Sequence, residues 1–251
     1  MIAVEGVSKT FGTQHVLRNV STVFETGKVN FIIGRSGSGK SVLTKCIVGL
    51  LEVDEGRIMF NDRNFTAMNE QERKAVRQEI GMLFQGSALF DSLTVEENVM
   101  FPLTMFSNMS KAEMLDRVNW CLKRVQLDNA NKKFPAEISG GMQKRVGIAR
   151  AIAMNPKYLF CDEPNSGLDP QTAIVIDNLI KEITYEFNMT TVVVSHDMNS
   201  VIEIGDRINF VFEGEIWWSG DKVDILKTTN DELNNFVYAS DFMRIVREKL
   251  Q

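Results

Sequence analysis

The chain has 251 residues, of which 44% are apolar and 24% charged, as expected of a globular protein with one large domain or one and a half. The net charge of −5 argues against a broad nucleic-acid surface, because proteins that bind the phosphate backbone usually carry a basic face. No apolar run approaches the ~20 residues of a membrane span. The N-terminal residues lack the basic and apolar regions of a signal peptide.

The three cysteines are odd in number, far apart, and placed on apolar stripes or strands. They are Cys46, Cys121 and Cys161. This placement favours small core residues in a reduced compartment over disulfides or metal ligands. We therefore expect a cytoplasmic protein.

The first recognisable unit in chain order is a strand, a glycine-rich loop and a helix. An apolar run at 29–33 precedes the loop GRSGSGKS at 34–41, and a helical apolar stripe follows it. The loop fits the pattern G-x-x-x-x-G-K-[ST], in which backbone N–H groups surround phosphate oxygens. Lys40 would then neutralise the β- and γ-phosphates, and the Ser41 hydroxyl would bind Mg²⁺.

The middle of the chain, from about 85 to 155, is mainly helical in pattern, whereas strands and helices alternate elsewhere. Capping boxes at 94–97 and 110–113 each predict a helix start, and we expect the first of these helices to end near Pro102. The sequence thus predicts an α/β core with a largely parallel sheet and an inserted helical subdomain.

The predicted domains are as follows: the discontinuous core spans 1–84 and 156–221, the helical subdomain 85–155, and a helical tail 222–251. The tail keeps apolar residues at helical spacing: Leu233, Phe236, Val237, Phe242, Met243, Val246 and Leu250. Packing of this stripe on the chain's own core is the favoured interpretation, and binding of a regulatory subunit or a partner ATPase is the alternative.

Polar residues follow three further apolar runs. Gln85 follows 80–84, the pair Asp162 and Glu163 follows 158–161, and Ser195-His196-Asp197 follows 191–194. Ligands of open α/β sheets bind beyond the carboxyl ends of the strands, so these groups should share one edge with the glycine-rich loop. A phosphate-binding loop, a carboxylate pair, an amide and an imidazole together predict a phosphoryl-transfer site.

Each of these side chains has a predicted role. Asp162 would hold Mg²⁺, and Glu163 would polarise the attacking water as general base unless it is an ordinary surface carboxylate. Gln85 would orient water or complete the Mg²⁺ shell, with a capping amide as the alternative. His196 would sense the γ-phosphate.

Six motifs in order make the chain resemble the nucleotide-binding subunit of an ATP-binding-cassette (ABC) transporter. They are GRSGSGKS at 34–41, Gln85 as Q-loop, ISGGM at 138–142 as signature, YLFCDE at 158–163 as Walker B, SGLD at 166–169 as D-loop, and SHD at 195–197 as H-loop. The resemblance covers 1 to about 222. It implies a P-loop NTPase (RecA-like) core with an antiparallel β subdomain, hydrolysis of ATP with Mg²⁺, and a separate membrane permease.

The resemblance also implies a head-to-tail homodimer, in which each ATP lies between the P-loop of one chain and the signature of the other. The nucleotide contacts it implies are Phe11, Gly34, Arg35, Ser36, Gly37, Ser38, Gly39, Lys40, Ser41, Val42, Ser139, Gly140, Gly141 and Asp169. Ser139-Gly140-Gly141 opens a helical run, so its N–H groups can form an anion site. Phe11 would stack on adenine, with a core aromatic as the alternative. Lys144 and Arg145 are interpreted as a solvated helix face.

Two sequence features indicate which subfamily of ABC ATPases the chain resembles. Met142 replaces the usual signature glutamine, and the segment 84–103 is similar to the Mla-type ATPases of MCE lipid-trafficking systems. Phospholipid is therefore the leading cargo, with an MCE-domain protein and a small regulatory subunit as further partners, and with no nucleic acid. The alternatives are a small-solute importer ATPase or a non-transport ABC ATPase. The permease would hold the chain at the inner face of the inner membrane. It would dock in a groove rich in soft apolar residues: Met100, Phe101, Met105, Phe106 and Met109. Internal packing of the helical subdomain is the alternative for at least half of these.

Overall fold

The structure is a computed structural model, and it describes residues 1–238. The strands are β1 (Ile2–Phe11), β2 (Gln14–Phe24), β3 (Lys28–Ile33), β4 (Glu55–Phe60), β5 (Arg63–Asn64), β6 (Ile80–Leu83), β7 (Tyr158–Asp162), β8 (Thr190–Val194), β9 (Arg207–Phe212) and β10 (Glu215–Gly220). The α-helices are α1 (Lys40–Ile47), α2 (Glu70–Gln78), α3 (Val95–Phe106), α4 (Lys111–Arg124), α5 (Gly140–Ile152), α6 (Pro170–Glu186), α7 (Met198–Ile204), α8 (Lys222–Lys227) and α9 (Asp231–Val237). Short 3₁₀ turns lie at Phe65–Ala67 and Pro135–Glu137.

The chain forms two compact units. Among the described residues, the first contains 1–69 together with 194–238, and the second contains 70–193. The predicted α/β class is confirmed, because both units combine strands with helices. The domain boundaries predicted from the sequence stay a prediction.

The first unit holds an antiparallel sheet in the order β2-β1-β4-β5. A second group of strands has β3 parallel to β9, and β9 antiparallel to β10. Strand β3 is buried at five of its six positions, so it is covered on both faces rather than alternating between buried and exposed. This buried strand runs directly into the glycine-rich loop and α1.

The second unit holds the strands β8-β7-β6 in that order, with β6 and β7 parallel. The helices α3, α4 and α5 pack on one another, as the helical pattern between 85 and 155 predicted. Both predicted capping boxes are present: Thr94 with Glu97 begins α3, and Ser110 with Glu113 begins α4.

Helix α3 does not end near Pro102, and that expectation was wrong. The helix continues for four residues beyond the proline, to Phe106. Val99 and Leu103, on either side of Pro102, are fully buried. A proline removes one backbone hydrogen bond, but helices in proteins are stabilised mainly by packing of their apolar face, and here that packing keeps α3 continuous.

The predicted helical tail stays a prediction, and its described part has two short helices, α8 and α9. Leu233 and Val237 of α9 are buried, and the Phe236 ring lies 5.4 Å from the Phe210 ring, centroid to centroid. The predicted tail positions Phe242, Met243, Val246 and Leu250 lie outside the described residues. Within the described part of the chain, no helix is both long and apolar enough to span a bilayer.

Candidate nucleotide site

The glycine-rich loop of the first unit has the backbone of a phosphate-binding loop. Gly34, Gly37 and Gly39 all have positive φ. A Cβ on Gly34 would overlap the carbonyl oxygen of Val211, so only glycine fits where β3 turns into the loop. The loop therefore has the glycine-dependent backbone typical of phosphate-binding loops.

Lys40 begins α1, and its ammonium group points back into this loop. Its Nζ donates to the carbonyl oxygens of Gly34 (2.7 Å) and Arg35 (3.0 Å), and only 9% of the residue is exposed. The Ser38 hydroxyl is buried and has no hydrogen-bond partner among the described residues. A buried ammonium and an unsatisfied hydroxyl in one glycine-rich loop fit a polyphosphate ligand.

The segment that contains His196 runs beside the end of β3. The backbone N–H of Ser195 donates to the carbonyl of Ile32 (3.3 Å), two residues before Gly34. The Ser195 hydroxyl accepts from the N–H of Asp197 (3.0 Å), and Asp197 caps α7. This turn leaves His196 exposed, next to the strand that leads into the loop.

Phe11, at the end of β1, is not a core residue, because 45% of it is exposed. The Lys9 ammonium lies 5.5 Å from the centroid of its ring, and Asp54 accepts a hydrogen bond from Lys9 at 2.6 Å. The ring is thus available for stacking on a planar ligand.

In the second unit, β6 and β7 bring three predicted side chains together. Leu83 pairs with Cys161, so Gln85 and Glu163 follow at matching positions beyond the two parallel strands. Nε2 of Gln85 donates to the Ser166 hydroxyl (3.3 Å), which connects the segment after β6 to the segment after β7. Glu163 has φ +47°, an uncommon conformation for a residue with a side chain. The shared strand edge predicted for Gln85, Asp162 and Glu163 is present here.

Ser139 and Asp169 each cap a helix. The Ser139 hydroxyl accepts from the N–H of Met142 at the start of α5. Asp169 accepts from the N–H groups of Gln171 (3.1 Å) and Thr172 (3.0 Å) at the start of α6, and from the Thr172 hydroxyl (2.5 Å). These bonds, led by that of the Thr172 hydroxyl, lower the pKa of the Asp169 carboxyl. The two N-terminal turns of α5 and α6 are therefore both well ordered.

The prediction that Lys144 lies on a solvated helix face was wrong. Only 4% of Lys144 is exposed, and its ammonium donates to the backbone carbonyls of Gln85 and of Glu163 (3.3 Å to the latter). Arg145 is also partly buried and donates to the carbonyl of Gln126 (3.0 Å). A buried cation between two predicted site residues is thus a feature that sequence reasoning missed.

The donor chemistry fits Mg²⁺ held together with phosphates. Ser41 offers a hydroxyl, Asp162 a carboxylate and Gln85 an amide oxygen, and Mg²⁺ prefers oxygen ligands supplied by one or two carboxylates plus substrate phosphates. Within the described residues there is no cluster of three or more His, Cys, Asp or Glu that would form a metal site by itself. Each of these three side chains therefore carries an oxygen of the kind that Mg²⁺ bound to a nucleotide accepts as a ligand.

An apolar groove of about 710 Å³ lies between β6, α3 and α5 of the second unit. Its lining includes Met82, Phe84, Phe90, Phe101, Phe106 and Met154. The rings of Phe90 and Phe101 are 4.7 Å apart, centroid to centroid. Two of the five soft apolar residues predicted for a docking groove, Phe101 and Phe106, line it, whereas Met105 is exposed outside the lining.

Residues 17–166 match the sequence profile of the family described as "ABC transporter". The chain belongs to the ABC transporter family. It is 38% identical, over 97% of its length and 76% of the relative's, to the methionine import ATP-binding protein MetN of Clostridium tetani. It is also 36% identical to the probable ribonucleotide transport ATP-binding protein mkl of Mycobacterium leprae, over 92% of this chain and 66% of that relative.

Solved structures agree with this assignment. A dimeric ATP-binding cassette in a post-hydrolysis state, bound to ADP and Pi, has a TM-score of 0.80 at 33% identity, over 88% of this chain and 99% of that one. The cbiO1 protein of Clostridium perfringens, part of the ABC transporter complex cbiONQ, has a TM-score of 0.85 at 27% identity. The match covers 99% of this chain and 98% of that one. The chain is therefore an ATP-hydrolysing subunit of a transporter with the P-loop ABC ATPase fold.

Proposed function

We propose that two copies of this chain bind two ATP molecules between them, and that hydrolysis drives a separate membrane permease. Each ATP would lie between the P-loop of one copy and the signature residues Ser139, Gly140 and Gly141 of the other. The observation that supports the hydrolysis step most is the matched ending of β6 and β7, which brings Gln85 and the Asp162–Glu163 pair to one edge.

The roles within one copy follow from the side-chain chemistry. Lys40 and the loop N–H groups bind the β- and γ-phosphates, and the ring of Phe11 stacks on adenine. Ser41, Asp162 and Gln85 would hold Mg²⁺, which would neutralise phosphate charge when bound. Glu163 takes a proton from the attacking water, and His196 contacts the γ-phosphate.

The start of α5 supplies the second anion site. Ser139 caps a helix of thirteen residues, and the N-terminal N–H groups of such a helix favour a bound phosphate. Asp169 lies at the start of α6, where we place the contact with the partner's P-loop. ATP then favours the closed dimer because only that state provides both halves of each site.

The groove of the second unit is the proposed docking surface for the permease. Its aromatic and methionine lining suits an apolar helix face, and Lys74, Arg77 and Arg150 place positive charge among the lining residues. Docking here would hold the chain at the inner face of the membrane.

Two cargo classes have support. The names of the relatives favour a small solute such as methionine, and this is the class that we propose first. Met142 and the segment 84–103 resemble the Mla-type ATPases and favour phospholipid, with an MCE-domain protein and a small regulatory subunit as partners. Uptake of radiolabelled L-methionine in a deletion strain tests the first class. Mass spectrometry of lipid bound to the detergent-solubilised transporter tests the second.

The experiment that tests the mechanism is Glu163→Gln. The variant should bind ATP, form a stable dimer with ATP but not with ADP, and lose about 10²–10⁴-fold in turnover, the usual contribution of a general base. The dimer is measured by light scattering and turnover by phosphate release. Glu182→Gln, at an exposed position of α6, is the control and should behave as the parent protein. Parent-like turnover of Glu163→Gln would remove Glu163 as the base.

A further inference from the structure

Helix α5 holds the segment after β6 through two cations. Lys144 donates to the Gln85 carbonyl, and Arg150 donates to the carbonyls of Ser87 (2.6 Å) and Ala88 (2.7 Å). Ser87 and Ala88 both have positive φ, so the turn that these bonds hold is one that side-chain-bearing residues seldom adopt. The backbone around Gln85 is therefore fixed from α5 as well as from β6.

Only Lys144 also reaches the strand that ends in the carboxylate pair. Its ammonium donates to the Glu163 carbonyl at 3.3 Å in addition to the Gln85 carbonyl, and thus connects the ends of β6 and β7. Three donors on one nitrogen allow this bridge, and burial removes competition from water. Burial lowers the pKa of Lys144, and the negative charges of Asp162 and Glu163 oppose that shift.

The close approach of α5 makes the bridge possible. A Cβ on Gly147, three residues after Lys144, would lie 2.7 Å from Cδ1 of Leu83, the last residue of β6. Since positions three apart lie on one face of a helix, the glycine lets that face approach the strand end closely enough for the lysine to reach both carbonyls.

From this geometry we infer that Lys144 is a positioning residue for ATP hydrolysis, which fixes the backbone of Glu163 relative to that of Gln85. Glu163 sits at φ +47°, and its carbonyl accepts from the Ser166 N–H (3.2 Å) as well as from the Lys144 ammonium (3.3 Å). Of these two donors only Lys144 also bonds the Gln85 carbonyl, so it is the one that ties the Glu163 backbone to that of Gln85. The inference rests on the proposed role of Glu163 as general base.

The test compares Lys144→Met, which keeps length and loses every donor, with Lys144→Arg and Lys144→Gln, which keep donors. Lys144→Met should lower kcat about tenfold to a hundredfold, as expected when a reacting group is misplaced by about 1 Å, while the Kd for ATP stays within about twofold. The other two variants should recover part of the loss. Arg150→Lys, which leaves the Glu163 carbonyl bond intact, should lower kcat less than Lys144→Met.

If Lys144 had a purely structural role, Lys144→Met would lower thermal stability and leave kcat per folded molecule unchanged. That result would overturn the inference.

A double-mutant cycle further separates a positioning role of Lys144 from a structural one. In a Glu163→Ala background, Lys144→Met should cause no further loss of residual turnover, because it acts through the missing side chain. An additive loss would contradict this. If Lys144→Met does not fold, Lys144→Leu, which also removes every donor, decides in its place, and parent-like kcat there overturns the inference.

The failure of this inference is distinguishable from the failure of the proposed function. If Glu163→Gln loses turnover and the Lys144 variants keep it, only the positioning role is wrong. If Glu163→Gln itself turns over normally, the assignment of the base is wrong.

Discussion

Gly141 and Thr172 lie so close that a Cβ on the glycine would be 2.5 Å from Cγ2 of the threonine. Thr172 cannot turn away easily, because it is β-branched and its hydroxyl donates to Asp169 at 2.5 Å. The start of α5, where the signature lies, is thus packed directly on the start of α6, where the D-loop ends.

Gly141→Ala should therefore destabilise the protein by about 1–3 kcal/mol, the usual cost of an overpacked contact. The sign of the change in the free energy of unfolding tests for the clash. Without it, alanine would stabilise the helix by up to about 1 kcal/mol relative to glycine. Thr172→Ser removes the methyl group and keeps the hydroxyl. The double variant Gly141→Ala, Thr172→Ser should recover most of the loss in urea unfolding, and failure to recover would show that the clash is not with this methyl.

Lys40→Met should weaken ATP binding by about 10–100-fold, since hydrogen bonds to charged groups contribute about 1.5–3 kcal/mol. The measurement is a titration with a fluorescent ATP analogue. Lys45→Met, at an exposed position in the last turn of the same helix, is the matched control and should bind normally. If Lys40→Met and Lys45→Met lost ATP affinity equally, the nucleotide would be attracted by the overall positive charge of the helix and not by the ammonium group in the loop.

Phe106→Ala should reduce the amount of permease recovered with the tagged chain from detergent-solubilised membranes, because it removes an aromatic ring from the groove lining. Met105→Ala is a control one residue away. Met105 is 59% exposed and lies outside the groove lining, so its substitution should leave recovery unchanged. Equal recovery with both variants would place the permease elsewhere.

The capping boxes of α3 and α4 predict a dependence of stability on pH. Hydrogen bonds from the backbone and hydroxyl of Thr94 lower the pKa of Glu97, and bonds from the hydroxyl and backbone of Ser110 lower that of Glu113. A depressed folded pKa adds stability above the ordinary value of 4.5, and this stability is lost as the pH falls through the lower folded value.

The double variant Glu97→Gln, Glu113→Gln should accordingly have a lower Tm than the parent at pH 7. The difference should shrink as the pH falls below 4.5, because the parent carboxylates then become protonated. Thermal unfolding followed by circular dichroism over this pH range measures it. If the Tm difference between the parent and the double variant did not change with pH, it would not come from the charge of the Glu97 and Glu113 carboxylates.

The parts of this fold that the sequence predicted well are those that depend on local patterns. The runs ending at Gln85, Asp162 and Ser195 are strands because continuous apolar residues suit a sheet buried on both faces. The helix starts at Thr94 and Ser110 followed from a cap that needs only four consecutive residues.

The parts that the sequence did not predict depend on packing between distant segments. Lys144 looked solvated because it stands beside Arg145 and Gln143 in a polar run, yet α5 buries eight of its thirteen residues. The small residues Gly147, Ala149 and Ala151 were the available signal, because they allow close approach on several faces. Pro102 likewise appeared to end a helix that its buried neighbours keep intact.

The three cysteines have a practical consequence. All are buried, and burial raises the pKa of Cys46 and Cys121 to about 11 and that of Cys161 still further. Thiol-directed dyes and spin labels react with thiolates, so the native chain should give almost no background at neutral pH. A single reporter cysteine placed on the surface could therefore be labelled selectively, without first removing the natural ones.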